Sequence, residues 1–225
     1  MSKLSWAWML SCIALLALFA ATATAVLASE APFRDLREQV LTAARPAFRG
    51  WIEGLPAERL ADFGFRSPAE ARQATLLRPI PSYAPDRSRG VTRKRVETAL
   101  ESPPDAWLVP VATGGEVVCL ITVETRPGRS PEVIELGKAW AARRLEAGLR
   151  SLRETGGLPW DDLRFVVFVN PNVDLLLVRR PGGKGWRWLN LLGSTASEAH
   201  SLESRQIDEL LQRIQDTPPQ EIPFP

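Results

Sequence analysis

The sequence predicts an α+β protein, in which strands and helices occupy separate stretches of the chain. Two runs of strand-like segments, at 106–136 and 163–192, are joined internally by turns of a few residues, which makes neighbouring strands antiparallel. Helical periodicity precedes the first run, separates the two runs and follows the second. We therefore expect an antiparallel sheet of about six or seven strands, arranged as two meanders and packed by helices.

The N-terminal part of the chain is predicted to hold helices and loops. Apolar residues recur at helical spacing over residues 33–45, and Pro46 is expected to end this helix because proline lacks a backbone donor. A second helix is expected to start at Ser67, with the serine as its cap, a proline at its first position and Glu70 reaching back. A strand is expected over residues 80–84.

Turn residues and periodicity set the bounds of the two meanders and of the later helices. Pro110 lies inside a predicted strand, which indicates an edge strand or a β-bulge, because proline cannot donate to the ladder. With helices on one face, the architecture is similar in style to cystatin-like modules. The expected strands are 106–112, 116–125, 132–136, 163–169, 174–180 and 186–192, and the expected helices are 138–154 and 203–215.

The first 28 residues have the layout of an export signal. Lys3 is positive, residues 4–28 carry no charged side chain, and small residues near the end of this run suit a signal peptidase. The alternative is a retained N-terminal membrane anchor, because about 20 apolar residues cross a bilayer. We expect export to the periplasm or the extracellular space, with no membrane contact after cleavage. The expected segments are a signal peptide 1–28, a helical and loop region 29–104, a sheet domain 105–216 that forms one domain with it, and an irregular tail 217–225.

Composition argues against several functional classes. The chain has 28 basic and 26 acidic side chains, and this near-neutral balance indicates no nucleic-acid partner. Without the leader, Cys119 is the single cysteine, so no internal disulfide is expected. One cysteine and one histidine, His200, are too few for a zinc site with nitrogen and sulfur ligands. We therefore predict no metal and no cofactor.

Cys119 and His200 are also the possible nucleophile and base. A cysteine nucleophile needs a nearby imidazole to remove its proton. Cys119 lies in a continuously apolar stretch, which is typical of a buried and unreactive thiol, whereas His200 lies in a polar linker. We expect both residues to be structural, and no catalytic residue is predicted.

A ligand-binding face is predicted on and beside the last strand of the second meander. Trp186 and Trp188 are two residues apart, so both rings point to one face and can stack on a sugar, a base or an aromatic side chain. Arg180, in the adjoining turn, adds positive charge beside them, and Arg187, which alternation places on the other face of the strand, is the fourth predicted ligand residue. The alternative is that a helix covers the indoles and makes them part of the core. A basic cluster within residues 87–95 is expected to be a solvated loop.

One stretch of the chain resembles a group of exported bacterial proteins without assigned activity. The resemblance implies export and an α+β domain, and it assigns no catalytic residue. The features that carry it are Phe63-Gly-Phe65, the helix start at Ser67, Pro79-Ile80, Tyr83 and Trp107 at the start of a hairpin, all within residues 63–138.

We therefore expect an exported, non-enzymatic protein that binds an unidentified protein or small molecule. One alternative is a secreted hydrolase whose catalytic side chains are scattered along the sequence, and carboxyl groups of raised pKa in a deep cleft would favour it. Another is a secreted peptidase inhibitor that presents a rigid loop, for which the turns 170–172 and 181–185 are candidates.

Overall fold

The computed structural model describes residues 33–168, 172–183, 185–191 and 199–218. The predicted leader and most of the predicted tail lie outside these ranges. The chain divides into two compact units, Met1–Glu38 and Gln39–Pro225. In the first unit the described residues, 33–38, are helical. The sheet and the clefts described below belong to the second unit.

The described residues form five α-helices and a sheet of nine strands, together with short 3-10 helices in the connections. The α-helices are residues 33–54 (α1), Pro68–Gln73 (α2), Arg93–Ala99 (α3), Ala139–Glu154 (α4) and Ser204–Asp216 (α5). The strands are Thr75–Leu76 (β1), Ile80–Tyr83 (β2), Ala106–Thr113 (β3), Glu116–Glu124 (β4), Glu132–Leu136 (β5), Leu163–Phe168 (β6), Val173–Arg179 (β7), Trp186–Asn190 (β8) and His200–Leu202 (β9).

The fold is α+β with one open and mostly antiparallel sheet. The strand order is β5-β4-β3-β2-β6-β7-β8-β9, and the short strand β1 pairs with β3. The two predicted meanders are β3-β4-β5 and β6-β7-β8, and β2 joins them because it pairs with both β3 and β6. The β2–β6 pair is parallel, which local turn chemistry does not predict. The strands β1 and β9 were not predicted, so the sheet exceeds the expected six or seven strands.

Helices cover both faces of the sheet, which differs from the predicted arrangement with helices on one face. Leu145 and Leu149 of α4 pack against one face, beside Leu176 of β7. The opposite face of β7, which carries Leu177, is covered by helices α3 and α5. The physical reason is the composition of β7, where consecutive leucines point to opposite faces, so both faces exclude water.

Helix α1 continues through Pro46 to residue 54, so the predicted end at Pro46 is wrong. The proline costs one backbone hydrogen bond. Beyond it, however, Phe48 is buried, and the ring of Trp51 packs edge-on against Phe63 at 5.0 Å between centroids. These contacts outweigh the local cost of the proline. Across the described ranges, no helix combines the length and the apolar character that crossing a bilayer requires.

Pro110 lies in the interior strand β3, at a point where its missing N–H is not needed. The short strands β1 and β2 pair with β3 on either side of this residue, and Pro110 contributes its carbonyl, which accepts from the N–H of Leu77 at 2.8 Å. The pairing of β3 with β4 also shifts register between Val111 and Ala112. The predicted bulge is therefore present next to the proline, and the alternative of an edge strand is wrong.

Candidate ligand-binding cleft

A cleft of about 580 Å³ lies where the C-terminal end of α4 meets the turn between β7 and β8. We call it the arginine cleft. It combines apolar walls with charged side chains from two separate parts of the chain, the turn before β6 and the β7–β8 hairpin. The residues that matter for its chemistry are Thr155, Leu158, Asp162, Val178, Arg180 and Arg187.

The β7–β8 turn positions both arginines that were predicted to bind a ligand. The backbone N–H of Arg180 donates to the carbonyl of Gly185 at 3.0 Å, which closes the turn. Gly182 and Gly185 both have φ values near 80°, a conformation that side-chain-bearing residues rarely adopt. Arg187 then follows on β8, where alternation directs its side chain to the face covered by α4. The two guanidinium groups therefore reach the same cleft.

Arg187 is held by neutral hydroxyl groups. Its Nε lies 3.3 Å from Oγ of Ser201 on β9, and its Nη1 lies 3.4 Å from Oγ1 of Thr155. The Thr155 hydroxyl donates to the carbonyl of Ser151, so its lone pair is available to accept from Arg187. No carboxylate within the described residues pairs with Arg187, and its positive charge stays uncompensated there.

Arg180 is exposed, and its guanidinium group makes no ion pair with any of the described residues. Arg179, its neighbour in sequence, is instead paired with an acid and an aromatic ring. Both carboxylate oxygens of Glu101 accept hydrogen bonds from Arg179, at 2.8 and 2.6 Å, and its guanidinium lies 5.2 Å from the ring centroid of Trp186. Of these two adjacent arginines, Arg179 serves the fold, whereas Arg180 is available to a ligand.

The arginine cleft suits an anion that carries an apolar body. A guanidinium group offers paired N–H donors that match a carboxylate or phosphate, and such charge-assisted bonds are stronger than neutral ones. Leu158 and Val178 supply apolar contact in the same cleft. The C-terminal end of α4 carries a partial negative charge, about half an elementary charge, which helps to hold Arg187 in place. This partial charge offsets only part of the positive charge of Arg187, so the cleft still attracts an anion.

The four side chains of the predicted ligand face do not form one site. Trp186 and Trp188 are 3% and 0% exposed, so neither ring offers a free face for stacking. Both point to the side covered by α3 and α5, and Nε1 of Trp188 donates to Glu97 at 3.2 Å. Arg180 and Arg187 instead share the arginine cleft. Helices therefore cover both indole rings and make them part of the core, which is the alternative that the sequence left open.

Trp186 also borders a second cleft, of about 490 Å³, on the α3 side of the sheet. Its charged groups are mostly paired with one another. Arg93 pairs with Glu97 at 2.9 Å, and Arg179 pairs with Glu101. Because these pairs satisfy each other, this cleft offers a ligand fewer free charges than the arginine cleft does.

Cys119 and His200 are far apart. They lie on β4 and β9, which are six strand spacings apart in the sheet order, a distance on the order of 30 Å in a sheet with about 4.8 Å between strands. Burial raises the pKa of the Cys119 thiol to about 12. No nucleophile and base pair can form between these two residues.

Two arginines of the predicted basic cluster contact the rest of the fold, whereas Arg89, Lys94 and Arg95 are exposed. Arg87 donates to the carbonyl groups of Ile214 and Thr217 and so caps the C-terminal end of α5. Arg93 lies on α3 and pairs with Glu97. The expectation of a solvated loop is therefore wrong for the arginines at these two positions.

Two buried acids lie between α4 and the sheet, one on each element, and each is paired with an arginine of that helix. Asp174 on β7 accepts from Arg144 at 3.0 Å, and burial raises the pKa of its carboxyl group. Glu146 accepts from Arg153 at 2.6 Å. Within the described ranges, no group of three or more histidine, cysteine or acidic side chains is arranged to hold a metal ion.

Comparison of the chain with protein-family models, with curated proteins and with solved structures finds no match. The geometry of the arginine cleft therefore carries the functional argument. Thr155 and Asp162 belong to this cleft but were not predicted as site residues. The available signal was their position, since Thr155 precedes the glycine pair that ends α4 and Asp162 precedes β6.

Proposed function

We propose that the protein is a non-enzymatic binding protein, and that its ligand is an anion with an apolar body held in the arginine cleft. One observation carries this proposal. Arg180 and Arg187 line the same cleft, and neither is paired with a carboxylate among the described residues. Two uncompensated guanidinium groups beside apolar walls favour a carboxylate or phosphate ester of small size.

The volume of the cleft agrees with a small ligand. Pockets that hold small molecules usually measure about 300–1,000 Å³ and are mostly apolar with a few placed polar groups. The arginine cleft, at about 580 Å³, falls within this range. We propose that this binding takes place outside the cytoplasm, which is supported by the leader pattern of residues 1–28 and by the resemblance of residues 63–138 to exported bacterial proteins.

A hydrolase is less well supported than a binding protein. The acid whose pKa is raised by burial, Asp174, is covered by α4 and paired with Arg144, and it does not line the arginine cleft. A general acid needs to reach the substrate as well as to hold its proton. The similarity in style to cystatin-like modules stays a prediction. The separate alternative of a peptidase inhibitor also stays a prediction, because residues 170–171 and 184 of its candidate loops lie outside the described ranges.

Calorimetric titration with N-acetyl-trileucine, an apolar anion, tests the proposal. We expect the full chain to bind this probe and to bind its uncharged C-terminal amide at least tenfold more weakly. Arg180→Ala and Arg187→Ala should each weaken binding of the anion about tenfold, because a charge-assisted hydrogen bond contributes about 1.5–3 kcal/mol.

Arg150→Ala is the matched control for these two variants. Arg150 lies on α4, half exposed and facing Glu116 at 3.5 Å, and it does not line the arginine cleft. Its replacement should leave the affinity unchanged. Equal binding of the anion and the amide, or equal loss in all three variants, would show that the arginine cleft is not an anion site.

A further inference from the structure

Asp162 lines the arginine cleft, and the charged group that acts on it in the fold is the guanidinium of Arg164. It ends the short 3-10 helix Trp160–Asp162, where its backbone N–H donates to the carbonyl of Pro159 at 2.9 Å. Its carboxylate accepts no hydrogen bond and makes no ion pair within the described ranges. The adjacent Asp161 differs, because it is paired with Arg78. The 3-10 turn therefore directs one acid to a partner in the fold and leaves the other in the cleft.

Opposite charges thus line one cleft without meeting. Asp162 comes from the turn before β6, whereas Arg180 and Arg187 come from the β7–β8 hairpin. No ion pair joins the acid to either arginine, so the separation of their charged atoms exceeds 4.0 Å. The intervening wall includes apolar side chains such as Val178. A cleft of this kind is complementary to a ligand that carries both charges with an apolar part between them.

We propose that the ligand is a short apolar peptide with free ends, whose carboxylate binds Arg180 and Arg187 and whose amino terminus binds Asp162. This inference rests on the proposed function and specifies its ligand. Leu163, next to Asp162, pairs with Val178, and Val178 pairs with Arg187, so the backbones of the acid and of this arginine lie two strand spacings, about 10 Å, apart. This separation favours a peptide over a single amino acid. An extended chain spans at most about 3.3–3.6 Å per residue, so a tripeptide holds its end charges about 10 Å apart.

The apolar walls and the charge balance agree with such a peptide. Leu152, Leu158 and Val178 line the cleft and can contact aliphatic side chains. Three arginines and one aspartate line the cleft, and Arg179 is paired with Glu101. Arg180 and Arg187 against one aspartate still leave a net positive charge, so a simple anion binds as well, but without using Asp162. The difference in affinity between a peptide with a free amino terminus and one with a blocked amino terminus therefore measures the contribution of Asp162 to binding.

Titration of the full chain with trileucine and with N-acetyl-trileucine at pH 7 tests the inference. We expect trileucine to bind at least tenfold more tightly, because its ammonium group gains a charge-assisted bond to Asp162. Asp162→Asn should lower the affinity for trileucine to that for the acetylated peptide and should not weaken binding of the acetylated peptide. Asp208→Asn, on the exposed side of α5, is the matched control and should change neither affinity.

A pH series gives a second readout. An α-amino group has a pKa of about 8, so the advantage of trileucine over the acetylated peptide should disappear at about pH 10. If both peptides bind equally at pH 7 and the arginine variants still lose affinity, the peptide inference is wrong and the proposed anion site stands. If neither peptide binds, both the inference and the proposed function are overturned.

Discussion

The buried carboxylate of Glu146 on α4 accepts a hydrogen bond from the backbone N–H of Val117 on β4, across 2.9 Å. This N–H lies at the β-bulge where Val118 has no partner on β3. A bulge leaves a ladder position unpaired, and an unpaired N–H away from water is costly. The same carboxylate accepts from Arg153 at 2.6 and 3.3 Å. One side chain thus ties α4 to the irregular point of the sheet.

Glu146→Ala is expected to destabilise the fold by about 3–5 kcal/mol, because it leaves the Val117 N–H without an acceptor and Arg153 without its acid. Glu146→Gln keeps an acceptor of similar shape, so its cost should be clearly smaller. Urea unfolding followed by circular dichroism measures both changes. Glu116→Ala removes an exposed ion pair with Arg150 and should cost less than about 1 kcal/mol. A loss for Glu146→Ala no larger than that for Glu116→Ala would contradict the role of the buried carboxylate.

Local chemistry allowed most elements to be predicted from the sequence. Helix α2 is an example, because Ser67 accepts from the N–H of Glu70, as the capping pattern predicts. Glu70 also reaches back, although it accepts from the N–H of Arg66 and not from that of the cap residue. The hydrogen bonds that the Glu70 carboxylate accepts, from the N–H of Arg66 and then from the hydroxyl of Thr113, lower its pKa. The strands of both meanders were likewise predicted, since short turns connect them. Pro46 is the exception, where contacts of Phe48 outweigh a local signal.

Pairings between distant segments could not be predicted in this way. The parallel contact of Tyr83 with Val166 joins strands that are more than 80 residues apart, and no turn between them sets the register. The residues of the arginine cleft could likewise be predicted only where they are close in sequence. Arg180 and Arg187 were predicted together because they are close in sequence. Asp162 joins their cleft only through the pairing of β6 with β7, so sequence spacing carries no sign that the three residues line one cleft.

The carboxyl group of Asp174 is expected to make stability depend on pH. Burial raises its pKa, and the nearby charges of Arg144 and Lys138 offset this effect only in part. An acid with a higher pKa in the folded state binds its proton more tightly when folded. The stability that it contributes is therefore complete below its unfolded-state pKa, about 3.9, and is lost as the pH rises through its folded-state pKa.

Asp174→Asn tests this dependence, because asparagine does not titrate. We expect the free energy of unfolding of the variant, relative to that of the parent protein, to rise as the pH increases from about 4 and then to level off. Urea unfolding at intervals between pH 3.5 and 8 measures the difference. Asp208→Asn, at an exposed position of α5, should show a difference that is flat by comparison. A difference for Asp174→Asn that falls with pH would contradict the raised pKa.

Trp188 and Trp140 form a matched pair for testing whether the predicted ligand face is core. Trp188 is fully buried between the sheet and helices α3 and α5. Trp140 on α4 is 46% exposed, and its ring centroid lies 5.0 Å from the guanidinium carbon of Arg144. Replacing a fully buried tryptophan with alanine leaves a large cavity and costs about 3–5 kcal/mol. Trp188→Ala should show this loss in urea unfolding, and Trp140→Ala should lose less than half as much. If Trp188→Ala kept its stability and lost affinity for N-acetyl-trileucine instead, the indole would be a ligand contact, and its assignment to the core would be wrong.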